Sequence, residues 1–472
     1  MANRPNPPHD PEEPERPEEP EQAQETVPVG LDTRAIDVPT SGKRLSREEV
    51  RATRRRVLGA SFIGNFVEWF DYGVYGYFAT VIARVFFPES DGTTALLQTF
   101  GLFAISFLIR PIGGFFWGHL GDRVGRRVAL AWSILLMSLS TFLIALVPGY
   151  AQIGVLAPVL LLILRVVQGF SASGEYAGAS AFLVEYAPAR RRGVYAAVVP
   201  ASTAAGLLLG SLIAALLTSL LSDPQMEAWG WRLPFLLAAP LGLIGRYIRT
   251  KLEDTPAFQA LAEEDASVHV PVLGLFVEHW RPLLLCFGAV LLNAVGFYVI
   301  LSYMPTYLSE EVGFGKTESF LATTLALAVY IGFIFLTGAA SDRWGRKRVL
   351  ITASICFILL TVPAFMLLDT GLFWPILLVQ ILLGGILSLN DGTLPSFLSE
   401  QFPTTVRYSG FAVSFNLANA LFGGTALAVS TWLISATGSP LAPGFYLAAA
   451  ALVSLVAVSL AKETAHGGLR HR

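Results

Sequence analysis

Residues 118–130 read GHLGDRVGRRVAL, and residues 338–350 read GAASDRWGRKRVL. Each string carries an Asp-Arg pair, a Gly three residues after the Asp and a basic cluster, and each opens an apolar run. The offset is 220 residues, from 118 to 338. A second pair, FLVEYAP (182–188) and FLSEQFP (397–403), repeats at an offset of 215. Two copies of one unit, running in the same direction, are therefore written into the chain. Parallel repeats related by an axis along the membrane normal are one architecture of secondary transporters, with the solute site at mid-depth between the halves.

Composition sets the medium. Hydrophobic residues make up 53% of the 472 and charged residues 14%, and the mean hydropathy is +0.57, the balance of an integral membrane protein. A helix needs about 20 apolar residues to cross the hydrocarbon layer. By that measure there are twelve runs: 57–82, 94–116, 129–147, 155–186, 194–221, 231–250, 281–306, 318–339, 349–368, 372–398, 408–434 and 442–461. Barrel strands would be about half as long and would alternate in polarity. The expected fold is an all-α membrane protein with 12 transmembrane helices in two six-helix, pseudo-symmetric halves. The halves span 57–250 and 281–461, an inner linker spans 251–280, and a short tail spans 462–472. Residues 1–56, rich in Pro and Glu and without aromatics, are expected to form a disordered tail. The first apolar run begins only near Val57, so it is expected as a retained span rather than a leader.

Basic loops alternate with loops nearly free of Lys and Arg. KRLSREEVRATRRR (43–56), GDRVGRR (121–127), ARRRG (189–193), RYIRTK (246–251) and SDRWGRKR (341–348) fall on one side, and loops such as VPGYAQ (147–152) on the other. By the positive-inside rule both termini face the cytoplasm. Cys286 and Cys356 lie in apolar runs and are expected to be packing residues. The net charge of -2 averages an acidic tail, basic loops and uncharged spans. No nucleic-acid partner, cofactor or metal is expected.

A charge at the bilayer centre costs about 2.5 to 3.5 kcal/mol on insertion scales, so each one needs a partner or a water-filled cavity. Glu68, Asp71, Arg110, Arg165 and Glu175 all fall within spans of the first half. Glu68 and Asp71 are three apart and share one helix face. The 215 offset turns Arg165 into Gln380 and Glu175 into Asn390, beside Asp391, so ionisable chemistry is expected to concentrate in the first half. Burial raises a carboxyl pKa and an approaching arginine lowers it, so a conformational change that swaps those surroundings loads and unloads a proton. Glu68, Asp71 and Glu175 are the expected proton-coupling residues. The expected solute contacts are Asn65, Trp69, Tyr72, Arg110, Arg165, Gln168, Asn293, Tyr298, Tyr303, Asn390, Asp391 and Asn416. A static ion pair that fixes packing is the competing explanation for any one of them.

Glu185 and Glu400 lie at the inner ends of spans four and ten, each three residues before a Pro. They are expected to pair with basic loop residues across a closed inner gate. Asp122, Arg123 and Arg126 from the first repeat, Asp342, Arg343 and Arg346 from the second, and Arg192 and Arg407 complete the expected latch. Other strings fail on inspection. GFGKT (313–317) has Glu310 where a phosphate loop needs its first Gly. GFSAS (169–173) lacks the last Gly of a nucleophile elbow, and the His residues have no metal spacing. With no nucleophile and base set, no enzymatic activity is expected. The stripe Trp69, Phe70, Tyr72, Tyr75 and Tyr77 is chiefly packing, with one or two rings able to face a quaternary ammonium.

GNFVEWFDYGVYG (64–76), FLIRPIGGFFWGHLGDRVGRR (107–127), LRVVQGFSASGEYAGASAFLVEYAP (164–188), GWRLPFLLAAPLGLIGRYIRTKLEDTPAF (230–258), YMPTYLS (303–309) and VRYSGFAVSFN (406–416) together resemble the metabolite:proton symporters of the major facilitator superfamily. The resemblance runs from about residue 56 to 464. Gly73 after EWFDY, the GAS at 178–180, EDTPAFQ (253–259) and YMPTYLS look like the proline/betaine branch rather than the dicarboxylate branch. It implies proton-coupled uptake of a zwitterionic compatible solute such as proline or glycine betaine by alternating access. The implied setting is a bacterial inner membrane, with the solute, protons and the lipid bilayer as partners and a monomer as the working unit. A proton symporter of a di- or tricarboxylate such as 2-oxoglutarate or citrate is the second substrate class, and a sensor without flux is the rival outside transport. Ser173 stands where the family usually has Gly and Leu427 where many members have Pro. No heptads follow Lys462, so osmotic gating is not implied.

Overall fold

The computed structural model describes residues 47–124, 126–172, 175–188, 190–253, 272–403, 406–465 and 467. The tail through residue 46 and the linker at 254–271 lie outside the described residues. Among the described residues there is no strand, and the helices group into twelve rods. In the first half these are α1 (Arg47–Tyr77, continuing as Ala79–Phe86), α2 (Gly92–Leu108, continuing as Arg110–Val124), α3 (Arg126–Ile144), α4 (Leu156–Ser171, continuing as Glu175–Tyr186), α5 (Arg192–Leu220) and α6 (Arg232–Glu253). In the second half they are α7 (Trp280–Glu311), α8 (Lys316–Trp344), α9 (Arg346–Leu368), α10 (Phe373–Gln401), α11 (Arg407–Thr437) and α12 (Ala442–Leu460).

Nine of these segments are long and apolar enough to cross a membrane. α1 and α6 fall short because they carry charge: a basic start with Glu68 and Asp71 in one, and Arg246 to Lys251 in the other. α3 contributes the shorter apolar stretch Trp132–Ile144. Two boundaries differ from the sequence expectation. Among the described residues α1 already runs from Arg47, inside the segment 1–56 expected to be disordered, because Arg, Glu and Ala are strong helix formers whatever their hydropathy. The helix Val272–Glu278 lies inside the expected linker.

The repeat is visible in the packing. α1 lies on α5 and α6 as α7 lies on α11 and α12, α3 lies on α6 as α9 lies on α12, and α2 lies on α4 as α8 lies on α10. The halves meet where α5 packs on α8, α2 on α11, and α4 on α10 and α11. Small residues set the closest approaches, as expected in lipid, where backbone proximity rather than hydrophobicity drives association. A Cβ on Gly169 of α4 would sit 2.0 Å from the Ser106 carbonyl oxygen of α2. Gly193 of α5 and Gly338 of α8 bring the two halves together in the same way. Gly345, expected to turn the second repeat loop, has φ of 100°, a conformation glycine adopts without strain. Its counterpart Gly125 lies outside the described residues.

α7 is the most enclosed rod, its apolar window 83% buried. It is also irregular, with π-helical turns at Tyr298–Tyr303 and Tyr307–Glu311. Such turns are frequent at functional sites because they rotate the side chains that follow.

Candidate functional site

In the first half, the α1 residues quoted for the resemblance bring three buried groups together. Glu68, nearly buried on α1, forms an ion pair of 3.1 Å with Arg110 Nη2 at the break in α2. Arg110 Nε also donates to Tyr72 Oη at 3.3 Å. The guanidinium lies 4.2 Å from the Phe107 ring centre, 4.4 Å from that of Tyr72 and 5.9 Å from that of Trp69. Aromatic faces thus surround the cation on the sides the carboxylate leaves open.

Asp71, one turn further along α1 and fully buried, engages a different partner. Its Oδ2 accepts from the Thr141 hydroxyl of α3 at 3.1 Å. Thr141 in turn accepts from Gln168 Nε2 at 2.9 Å, and Gln168 Oε1 accepts from Arg165 Nη1. Arg165 Nη2 reaches Ser106 at 2.9 Å, and the guanidinium stacks 4.0 Å from the Tyr75 ring centre. Two arginines and two acids therefore share the first half without pairing symmetrically. Glu68 holds its cation directly, whereas Asp71 is linked to Arg165 only through neutral hydroxyl and amide groups, and its Oδ1 has no partner among the described residues.

Glu175 opens the second segment of α4, and its side chain lies outside the described part. Asn65 faces α5 instead of these groups. Its Nδ2 donates to the Val199 carbonyl at 3.1 Å, Ser202 at 2.9 Å and Thr203 at 2.5 Å, committing that end of the amide to helix packing.

The second half supplies Tyr298, whose ring meets Trp69 at 6.0 Å and Phe107 at 5.4 Å between centroids, so α7 closes the aromatic box from the opposite side. Phe297 adds an edge contact to Trp69 at 5.1 Å. Neither Trp69 Nε1 nor Tyr298 Oη has a hydrogen-bond partner among the described residues, although both are buried. Asp391 of α10 is buried as well. It accepts from Asn293 Nδ2 of α7 at 2.6 Å and from the Tyr330 hydroxyl of α8. The neighbouring Asn390 is fully buried with both amide atoms unpartnered. The expectation that ionisable chemistry concentrates in the first half is thus incomplete, because the second half buries an acid among neutral donors. Tyr303 lies apart, where its hydroxyl accepts from Thr431 at 3.1 Å and its ring meets Phe100. Asn416 is half-buried on α11 and takes no part in either network among the described residues.

The residues expected at an inner latch that the structure describes gather around the second repeat loop. Asp342 Oδ1 accepts from the Gly193 backbone N–H at 2.8 Å and Oδ2 from that of Val194 at 3.1 Å, so an acid of α8 sits on the N-terminus of α5 across the two halves. Such a terminus favours an anion. Within the second half, Arg346 joins Asp342 at 2.8 Å to Glu400 at 3.2 Å. Arg407 Nε donates to the Ser399 carbonyl at 2.9 Å, and Arg192 Nη1 donates to the Gly467 carbonyl at 3.1 Å. Arg343 is exposed beside this cluster. The side chains of Asp122, Arg123, Arg126 and Glu185 lie outside the described part.

Beyond α12, Glu463 accepts from the backbone N–H groups of Arg346 and Lys347, each at 3.0 Å. Partial burial opposes its ionisation. The backbone donors at Ala465, Arg346, Thr464 and Lys347 outweigh that and hold the carboxyl below its usual range. At the opposite end of α8, Lys316 grips Asp223 at 2.9 Å through both oxygens, which holds that carboxyl below the usual range too. Tyr77 Oη donates to the Leu301 carbonyl at 2.7 Å, and Ser211 meets Thr324 at 2.8 Å. Both mouths of the bundle are therefore bridged in this state.

Thr141, Ser106, Phe107 and Tyr330 are the site residues that the sequence expectation missed. Their common signal is a hydroxyl or ring inside an otherwise apolar run, which many packing residues also carry.

A membrane-embedded bundle of two repeated helical halves, with buried charged groups inside and polar contacts joining the halves near both ends, has the make-up of a solute transporter. The sequence comparisons agree. The family model for the Major Facilitator Superfamily matches residues 61–428 and 286–469, and the chain belongs to that family. A glycine betaine/proline/ectoine/pipecolic acid transporter of Dickeya dadantii is 40% identical over 428 residues, covering 88% of this chain and 85% of the relative. A proline/betaine transporter of Escherichia coli is 38% identical with the same coverage. Among solved structures, a proton:xylose symporter bound to a sugar analogue superposes with a TM-score of 0.68 at 17% identity, covering 89% of this chain and 98% of the other. That likeness concerns the fold alone. The protein is a multi-pass membrane transporter of solutes and not an enzyme.

Proposed function

We propose that the chain is a proton-coupled symporter that imports a zwitterionic compatible solute, such as proline or glycine betaine, by alternating access. The observation that carries this reading is the buried Arg110 with Glu68, boxed by Trp69, Tyr72 and Phe107 of one half and closed by Tyr298 of the other. A solute carboxylate pairs with the guanidinium, which offers two parallel donors. The solute's ammonium lies against the Trp69 and Tyr298 faces, the surfaces that suit a quaternary ammonium. Loss of Glu68 from Arg110 when the solute carboxylate arrives frees that acid to take a proton. Asp71 and Glu175 complete the first-half coupling set.

The relatives named for proline and betaine support this substrate class. The working setting is the bacterial cell membrane, with both termini cytoplasmic and a monomer as the unit. Asp342, Arg346, Glu400, Arg192 and Arg407 act as the inner gate, and Lys316 with Asp223 as an outer clasp.

The test is uptake into proteoliposomes of the purified full chain under an imposed pH gradient, with labelled glycine betaine, proline and 2-oxoglutarate. The expected result is concentrative uptake of betaine and proline, each competing with the other, that collapses when the pH gradient is dissipated. Uptake of 2-oxoglutarate alone refutes the substrate class, and uptake that ignores the gradient refutes the coupling.

A further inference from the structure

Asp391 poses a problem that the reading above does not use. Its side chain is 1% exposed, on α10, and although it is among the solute contacts expected from the sequence, its surroundings argue for a different role. Its hydrogen-bond donors are both neutral: Asn293 Nδ2 on Oδ1 and the Tyr330 hydroxyl on Oδ2. The titratable groups facing it are Tyr330 of α8 and Tyr176 of α4, and Tyr176 stands in turn near Tyr298 of α7. Among the described residues no Lys, Arg or His acts on it. Glu175 precedes Tyr176 on α4. A bare carboxylate at this depth retains a penalty of several kcal/mol that neutral donors only partly offset. Glu68 meets the same cost with Arg110, but Asp391 has no such partner.

Three species could neutralise it. A metal cation needs several oxygen acceptors around it, and here Asn293 presents an amide N–H and Tyr330 an O–H. A quaternary ammonium donates no hydrogen bond and is held by aromatic faces, which the Trp69 and Tyr298 rings near Arg110 supply, whereas the groups standing on the Asp391 oxygens are the donors of Asn293 and Tyr330. A proton needs a single lone pair and a partner able to reverse its role. Tyr330 is such a partner, since a hydroxyl both donates and accepts. It donates to the ionised acid and accepts from the protonated one. Asn390, the residue before Asp391 on α10, is fully buried with both amide atoms unpartnered, so this stretch of α10 carries further unused polar capacity.

We infer that Asp391, with Tyr330 and Asn293, is a proton-loading site in the second half, separate from the Glu68 and Asp71 groups of the first half. The inference rests on the proton-coupled reading. It places a titrating acid on each side of the interface that opens and closes. It also gives α8 a stake in loading, because Tyr330 and the latch residue Asp342 ride on the same helix.

The experiment follows proton entry and solute entry together in proteoliposomes of the full chain, with an internal pH dye and labelled betaine, and measures counterflow separately. Asp391→Asn is expected to keep counterflow, which needs no net proton movement, while protons entering per solute fall by at least half. Asp391→Glu is expected to restore the ratio. An unchanged ratio in Asp391→Asn overturns the assignment. So does loss of betaine binding and counterflow in a folded Asp391→Asn, which would place the solute's cation at this acid. If Asp391→Asn does not fold, Tyr330→Phe decides: the pH of half-maximal uptake should move by about one unit through loss of one hydrogen bond to a charged group. An unmoved midpoint overturns the proposal. A wild-type protein that moves no protons with solute sinks the parent reading itself, an outcome visible before any variant is made.

Discussion

Asp342→Asn should open the inner mouth, and the geometry fixes by how much. Of the bonds Asp342 makes, those to the Gly193 and Val194 backbone N–H groups cross between the halves, while the Arg346 pair lies within the second half and survives opening. Only the crossing bonds bias the equilibrium. Asparagine keeps one acceptor oxygen and turns its amide nitrogen toward the other backbone N–H, so one charge-assisted bond is lost and the second is weakened to a neutral one. A hydrogen bond to a charged group contributes about 1.5 to 3 kcal/mol, and the anion at the α5 terminus about 0.3 to 1 kcal/mol more. A loss of about 2 kcal/mol corresponds to about a 30-fold shift toward the inward-open state. The assay is pulsed EPR between spin labels at Arg191 and Arg348, both exposed and one in each half, on a background with Cys286 and Cys356 replaced. The ratio of the longer-distance to the shorter-distance population should grow by that factor. A distance distribution identical to the parent's would refute the latch, whatever happened to uptake.

Trp69→Ala should raise the KM for betaine about 2- to 30-fold, the range of one desolvated cation–π contact, with Trp69→Phe in between. Equal effects on betaine and on an uncharged analogue would place Trp69 in packing only. Gly169→Ala puts a Cβ 2.0 Å from the Ser106 carbonyl, a backbone atom that cannot step aside, so thermal stability in detergent should fall by the equivalent of about 1 to 3 kcal/mol. An unchanged melting temperature would mean that α2 and α4 are further apart. Glu463→Gln should reduce hydrogen-exchange protection of the Arg346 and Lys347 amides about tenfold at neutral pH, since one charge-assisted bond is weakened. Because the Glu463 carboxyl is held below its ordinary range, its contribution is complete above that range and lost as pH falls through the folded value. Thermal stability should show the same acid-side loss in the parent and not in the variant.

The sequence was most informative where physics leaves few alternatives. A backbone in lipid must satisfy its own hydrogen bonds, so twelve apolar runs imply helices, and a repeated Asp-Arg-x-Gly loop implies two copies of one unit. Charges in spans are costly, so Glu68, Asp71, Arg110 and Arg165 stood out as functional candidates, and they do fall within one buried region. Pairing was not legible. Nothing in their spacing says that Glu68 takes Arg110 while Asp71 reaches Arg165 through Thr141 and Gln168, because those choices depend on how α2, α3 and α4 rotate about α1. Asn65 illustrates the same limit, since a polar residue one turn from Glu68 turned out to bind α5. Tyr330 and Thr141 were lost because one hydroxyl in an apolar helix is ordinary.

The arrangement of α8 suggests why loading and opening belong to one event. From its outer to its inner end this single helix carries Lys316 on Asp223, Thr324 on Ser211, Tyr330 on Asp391 and Asp342 on the α5 terminus. Tyr330 and Asp342 are twelve residues apart, about 18 Å at the helical rise. Among the described residues α8 has neither an interior proline nor a π turn to absorb a displacement between them. A packed helix moves as a rod, so a change in the hydrogen bond at Tyr330 is felt at both mouths. α7 and α11, which carry π turns beside Tyr298 and at Asn419–Gly423, can adjust locally around a solute instead. On the proposed reading, the second half pairs one unbroken helix that carries the contacts at both ends with two helices interrupted by π turns, an asymmetry that the repeat motifs shared by the halves do not reveal.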